Sequence, residues 1–152
     1  MLAPVSVTPK HLESYRSSVR DGAIEAIQED AAALIGARVL HVNATAYGGG
    51  VAEILASLVP LMRDIGILAD WKVISGTDEF FKVTKAMHNA LQGKPYDWTT
   101  EARQAWVEQN RLNAAGWKDY DYVVIHDPQP APILKILRDD GNKPAGRWLW
   151  RC

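Results

Sequence analysis

Ala37-Arg38-Val39-Leu40-His41-Val42-Asn43-Ala44-Thr45-Ala46-Tyr47-Gly48-Gly49-Gly50-Val51-Ala52-Glu53-Ile54-Leu55-Ala56-Ser57-Leu58 is the stretch that decides how this chain folds. Its first third is mostly apolar and β-branched, too short for a buried helix, and reads as a buried strand over 37–43. The loop 44–50 closes on three consecutive glycines. Val51, Ile54, Leu55, Leu58, Met62 and Ile65 then recur at helical spacing, and Gly66 ends the run. A strand, a glycine turn and an amphipathic helix together begin a β-α-β unit.

The same alternation continues on both sides. Upstream, residues 9–34 read as one helix or two, with Gly22 as a kink and Gly36 as a C-cap. Downstream come a second strand over 68–74, helices over 78–91 and 100–115, and a third strand at Tyr122-Val123-Val124-Ile125. A short helix over 129–139, the turn Asp140-Gly141-Asn142-Lys143-Pro144 and a last strand over 147–151 follow. The Gly93-Lys94-Pro95-Tyr96-Asp97-Trp98 segment is a loop between helices. This order predicts an α/β fold with a Rossmann-like, mostly parallel sheet and helices on both faces. The expected organisation is an N-terminal helical segment, 1–35, packed on a Rossmann-like domain, 36–152.

Composition excludes several classes. With 47% apolar and 23% charged residues in 152, the chain is globular. A net charge of -1 leaves no basic footprint for nucleic acid. Met1-Leu2-Ala3-Pro4-Val5 has no basic region or long apolar run, so neither a signal peptide nor a membrane span is expected. The lone cysteine, Cys152, cannot form an internal disulfide, and a reducing, cytoplasmic setting is expected. Arg147-Trp148-Leu149-Trp150-Arg151-Cys152 alternates like a half-buried strand, a poor place for a chain to stop, so a longer reading frame is expected.

In open parallel sheets, ligands sit outside the carboxyl ends of the strands where the strand order reverses. If the first strand reverses against the third, loop 44–50 faces loop 126–130, and these two loops hold the least ordinary residues. Gly48, Gly49 and Gly50 let the backbone approach a ligand and leave helix-start N–H groups for an anion. The spacing is not that of a dinucleotide fingerprint, and no Gly-Lys-Ser/Thr follows for a P-loop. Glu53, in the first helical turn, suits the helix dipole and could also accept sugar hydroxyl hydrogens. His126, at a strand's carboxyl end beside Asp127 and Pro128-Gln129, can hydrogen-bond a hydroxyl or a carbonyl. Asp119-Tyr120-Asp121 resembles a metal-diphosphate signature, but it precedes the third strand and falls at the opposite end of the sheet. His41 reads as packed and His11 as surface. No zinc spacing or G-x-S-x-G elbow occurs. The six tryptophans read mostly as core or interdomain packing.

Four runs resemble one family in order: His41 through Leu55, Phe80 through Gly93, His126-Asp127-Pro128-Gln129-Pro130, and Trp148-Leu149-Trp150-Arg151-Cys152. They resemble the trehalose-forming glycosyltransferases, that is, the glycosyltransferring trehalose synthases and related trehalose phosphorylases of the retaining GT-B class. The likeness covers about 35–152. It implies the N-terminal half of a GT-B fold, in which this half receives the acceptor sugar. A second domain, outside these 152 residues, holds most of the nucleoside diphosphate sugar. It implies transfer of glucose from a nucleoside diphosphate glucose to glucose with retention, giving α,α-trehalose, without a metal ion or other cofactor. By the same resemblance, His126 is the catalytic contact to the transferred sugar, and Gly48, Gly49 and Gly50 approach donor phosphates or acceptor. Lys85, His88 and Asn89 line the acceptor side, and Glu53, Asp127 and Gln129 join the binding set. The expected partners are glucose or a similar sugar, the nucleoside diphosphate glucose, and the missing domain or a partner chain. A homo-oligomer through the exposed last strand and the Trp-rich face is also open. Without the donor domain the chain is expected not to transfer glucose efficiently. The alternative is a non-catalytic sugar-binding, nucleotide-binding or protein-interaction module derived from that domain.

Overall fold

The computed structural model describes all residues, 1–152. Its centre is a five-stranded sheet in the order β1-β3-β2-β4-β5. The strands are β1 (Ala3–Pro4), β2 (Arg38–Asn43), β3 (Leu68–Val73), β4 (Tyr122–His126) and β5 (Arg147–Arg151). β2 runs parallel to β3 and to β4, and β4 runs parallel to β5. Only β1 is antiparallel, on the edge beside β3. The helices are α1 (Ala23–Ala31), α2 (Gly50–Asp64), α3 (Asp78–Leu91), α4 (Thr100–Ala114) and α5 (Ile133–Asp139).

Strand side chains alternate between faces, and the core divides accordingly. Val39 of β2 and Ala69 and Trp71 of β3 pack against Ala52, Leu55 and Val59 of α2. Leu40, Val42, Val123 and Ile125 pack on the other face against Phe80 of α3 and Ile133, Ile136 and Leu137 of α5. Helices therefore cover both faces, as the alternation of elements predicts. Thr77 and Thr99 cap α3 and α4, their hydroxyls accepting from the N–H groups of Phe80 and Ala102.

The N-terminal segment differs from its all-helical expectation. Ala3 and Pro4 extend the sheet, since an edge position leaves the missing proline N–H without cost. Residues Leu12–Ser18 form a 3-10 helix rather than an α-helix, and Gly22, at φ 78°, separates it from α1. This segment is tied down by Asp64 at the end of α2, whose carboxylate accepts from the Leu12 N–H and from His11. His11 is on the surface as expected, but it is an anchor.

Before β5, Gly146 sits at φ 85° with its Cα so close to β4 that a Cβ would lie 2.1 Å from the Tyr120 carbonyl oxygen. Only glycine can bring the chain back onto the sheet there.

Candidate functional site

Because β2 lies between β3 and β4, the chain leaves β2 towards one side of the sheet and enters β4 on the other. Their carboxyl ends part at this reversal, and a cavity of about 460 Å³ opens there. The two loops that face it are those singled out in the sequence.

The first loop is shaped from within β2. Asn43 is buried; its amide N–H donates to the Thr45 carbonyl at 2.7 Å, and its Oδ1 accepts from the Trp71 indole at 2.6 Å. Thr45 Oγ1 in turn donates to the Tyr47 carbonyl at 2.8 Å. The chain then passes through Gly48 at φ 68° and Gly49 at φ 100°, left-handed conformations that favour glycine. No side chain caps α2. The first N–H groups of the helix therefore keep their donor capacity at the cavity wall, with the helix dipole behind them.

The second loop is clamped from two directions. Asp127 holds φ 64°, the one non-glycine residue with positive φ. Its N–H donates to the Arg151 carbonyl at 2.8 Å, and its own carbonyl accepts from the Trp150 indole at 2.9 Å. From α4, the Trp106 indole donates to the carbonyls of Pro128 and Gln129, and Asn110 donates to Gln129 at 2.8 Å. Gln129 lines the cavity, and its Oε1 is buried without a partner. An aspartate at positive φ, with both its N–H and its carbonyl held by hydrogen bonds to β5, is a strained residue of the kind that marks ligand loops.

Of the expected site residues, Gly48, Gly49, Gly50, His88, Asp127 and Gln129 meet at this cavity. His88 reaches it from the last turn of α3 and hydrogen-bonds Gln92. Glu53 and Lys85 are exposed and Asn89 is half-buried; none of the three lines the cavity. Lys85, His88 and Asn89 share one face of α3 by their i, i+3, i+4 spacing, yet only His88 extends to the cavity wall. Arg151 and Cys152 line the cavity and were not singled out in the sequence. Both belong to the run Trp148–Cys152 that carries the family resemblance, and the register of β5 brings Arg151 beside His126.

His126 does not line the cavity: it is buried immediately behind it, with 3% of its surface exposed. Its Nε2 lies 3.0 Å from Nδ1 of His41 on the neighbouring strand, and the rings stack at 5.3 Å. His41 is packed, as expected, and also paired. Burial pushes both imidazoles down to about 4, with His41 and Arg151 adding to the effect at His126. Both rings are therefore neutral at neutral pH, and each keeps one nitrogen, Nδ1 of His126 and Nε2 of His41, buried without a partner.

A second cleft, of about 440 Å³, lies at the amino end of the sheet. Among its charged groups Arg63 pairs with Asp70 at 3.7 Å and Arg38 with Asp121 at 3.8 Å, Asp70 also accepts from the Tyr120 hydroxyl at 2.9 Å, and Lys118 is left without a partner. Asp119 and Asp121 lie at this end, as expected, where their carboxylates accept from the N–H groups of Ala145 and Arg38. No group of three or more His, Cys, Asp or Glu side chains is gathered as a metal site. No helix is long and apolar enough to cross a membrane.

The chain is similar to known proteins over most of its length. Residues 41–152 match the family described as trehalose synthase, N-terminal domain. The trehalose synthase of Thermococcus litoralis is 51% identical over 146 residues, which is 94% of this chain and 34% of that protein. The trehalose synthase of Rubrobacter xylanophilus is 46% identical over 156 residues, covering 100% of this chain and 37% of the relative. A trehalose phosphorylase of Pleurotus pulmonarius is 30% identical over 141 residues, 84% of this chain and 19% of the relative. The chain thus spans about a third of the length of the trehalose synthases it matches. The chain belongs to the trehalose synthase N-terminal domain family.

Proposed function

We propose that this chain is the acceptor-side domain of a glycosyltransferase that moves glucose from a nucleoside diphosphate glucose to glucose, with retention, forming trehalose. The observation that supports this most directly is the cavity at the strand reversal. It offers the uncapped N–H groups of α2, the Gln129 amide, the Asp127 carboxylate and the His88 imidazole, a set suited to a ring of hydroxyls. In this reading His126 contacts the transferred sugar from behind the Asp127 loop. The glycines let the donor phosphates or the acceptor approach the main chain.

A departing diphosphate needs positioned cations. Arg151 is the one Lys or Arg lining this cavity, so the remaining charge and the donor site belong to a second domain, on a continuation of the chain or a partner. The transfer needs no metal ion or other cofactor, and it takes place in the cytoplasm. The isolated chain binds glucose but does not turn over. Titration of the isotope-labelled chain tests this: amide shifts at Gly48, Gly49, Gly50 and around Asp127 with glucose are expected. A well-dispersed spectrum unmoved by glucose and by the nucleoside diphosphate glucose, or family-like turnover by the chain alone, would overturn it.

A second reading has one observation in its favour. Leu149 and Trp150 of the edge strand β5 are 51% and 57% exposed, and such an edge invites pairing. In this reading the chain is an interaction module, and a monomer by size-exclusion chromatography at high concentration counts against it.

A further inference from the structure

The His41–His126 pair carries more than packing. A neutral imidazole has one N–H and one bare nitrogen. When two such rings share a hydrogen bond, the tautomer of one sets that of the other. With the proton on His41 Nδ1, Nε2 of His126 is bare and its Nδ1 bears the hydrogen. With the proton on His126 Nε2, its Nδ1 is bare. In both cases Nε2 of His126 is consumed at 3.0 Å, and Nδ1 is the nitrogen left over.

That nitrogen is unexplained by the protein itself. It is buried with no partner, and a buried polar atom left unpaired calls for a reason. The ring lies next to the cavity wall, not in it: His126 is followed directly by Asp127, which lines the cavity, and Arg151, whose charge His126 feels, lines it too. His41 stands two residues before Asn43 on the same face of β2, so one strand both shapes the glycine loop and holds the histidine.

We propose that His41 is a positioning residue for His126: by occupying Nε2 it fixes the orientation of the ring and ties its tautomer to that of His41, so that Nδ1 is the nitrogen His126 offers to a sugar hydroxyl. This rests on the reading of His126 as a contact to sugar. His41 itself touches no substrate.

The test reads the ring nitrogens directly, by long-range proton–nitrogen correlation on the chain carrying labelled histidine, at pH 7 with and without glucose. The expected result is one neutral tautomer for His126 and a glucose-induced shift at Nδ1 larger than at Nε2. His41→Asn, whose amide falls near the place of Nδ1, keeps the tautomer and the glucose affinity within about twofold. His41→Leu, which leaves Nε2 unpaired, mixes the tautomers and weakens glucose binding about tenfold while the amide spectrum stays dispersed. If the leucine variant does not fold, His41→Gln, whose amide lies one bond too far along, takes its place with the same expectation. A leucine or glutamine variant with a single tautomer and undiminished affinity overturns the positioning role, as does an Nδ1 that glucose leaves unmoved. A His126→Gln chain that binds glucose normally overturns the sugar contact itself, and so separates the two failures.

Discussion

The two ends of the sheet hold clefts of nearly equal size, about 440 Å³ at the amino end and about 460 Å³ at the carboxyl end, and they are built on opposite principles. At the amino end, the charged side chains other than Lys118 answer one another or close off neighbouring main-chain N–H groups: Arg63 with Asp70, Asp121 with the Arg38 N–H, Asp119 with the Ala145 N–H. At the carboxyl end, polar capacity is left over: Gln129 Oε1, Nδ1 of His126, Nε2 of His41 and the uncapped start of α2. Volume does not distinguish the two; unspent hydrogen bonding does. A buried group without a partner costs the fold about 1–3 kcal/mol, and three of the six such side-chain atoms, those of Gln129, His126 and His41, lie at or behind the carboxyl-end cavity.

Substitutions can break or sharpen that contrast. The largest effect is expected from Gly146→Ala. Its Cβ would meet the Tyr120 carbonyl at 2.1 Å on a backbone at φ 85°, and the cost should be about 3 kcal/mol or more, seen as a lower denaturant midpoint. Since β5 holds Asp127 through Arg151 and Trp150, this amino-end change should also abolish glucose-induced shifts at the other end. An unchanged midpoint would mean that β5 contributes little to the fold.

Acid comes next. Both buried histidines titrate at about 4 rather than at their ordinary 6.5. Between these values the unfolded chain takes up protons that the folded chain refuses, so stability is full above pH 6.5 and falls as the pH drops towards 4. The expected loss is up to about 3 kcal/mol for each histidine, measured by urea unfolding at several pH values. A flat profile across that window would show that the pair is open to water.

Gly49→Ala, at φ 100°, should cost about 1 kcal/mol and weaken glucose binding at least tenfold, because the loop must move. Asp121→Ala should cost a similar amount through the lost bond to the Arg38 N–H, yet leave binding untouched. If both lower the affinity equally, the two ends are not independent. The smallest effects are expected from side chains at the rims. His88→Ala should weaken glucose binding by about threefold to tenfold with a stability change under about 0.5 kcal/mol. Arg63→Ala, its counterpart at the amino end, should leave glucose binding as it was, and calorimetric titration of both variants checks the pair.

Much of this contrast was legible in the chain. Short apolar runs and period-2 and period-3.6 patterns placed β2, α2, β3, α3, α4, β4 and β5 within a few residues, because apolar spacing follows the geometry of each element. The three glycines marked the first loop, because backbone that must turn sharply needs particular residues; the second was marked by its place at the carboxyl end of β4, although the helix expected from 129 begins only at Ile133. Position relative to β4 correctly sent Asp119 and Asp121 to the far end. The β1 edge strand was not legible, since Ala3-Pro4 gains its place only from pairing with β3. Nor was Arg151 as part of the cavity wall, since a strand's register is a property of two segments.

By itself, then, the order of residues determined the main strands and helices from β2 onward and the loops in which a ligand site would form, because these follow from local periodicity and turn chemistry. Tertiary structure alone decided which side chains reach the cavity. It turned Glu53 and Lys85 outward, set His126 behind the wall instead of in it, and joined it to His41, 85 positions away. The physical reason is that a hydrogen bond of 3.0 Å between two strands depends on their register and facing, and neither exists until the sheet is assembled.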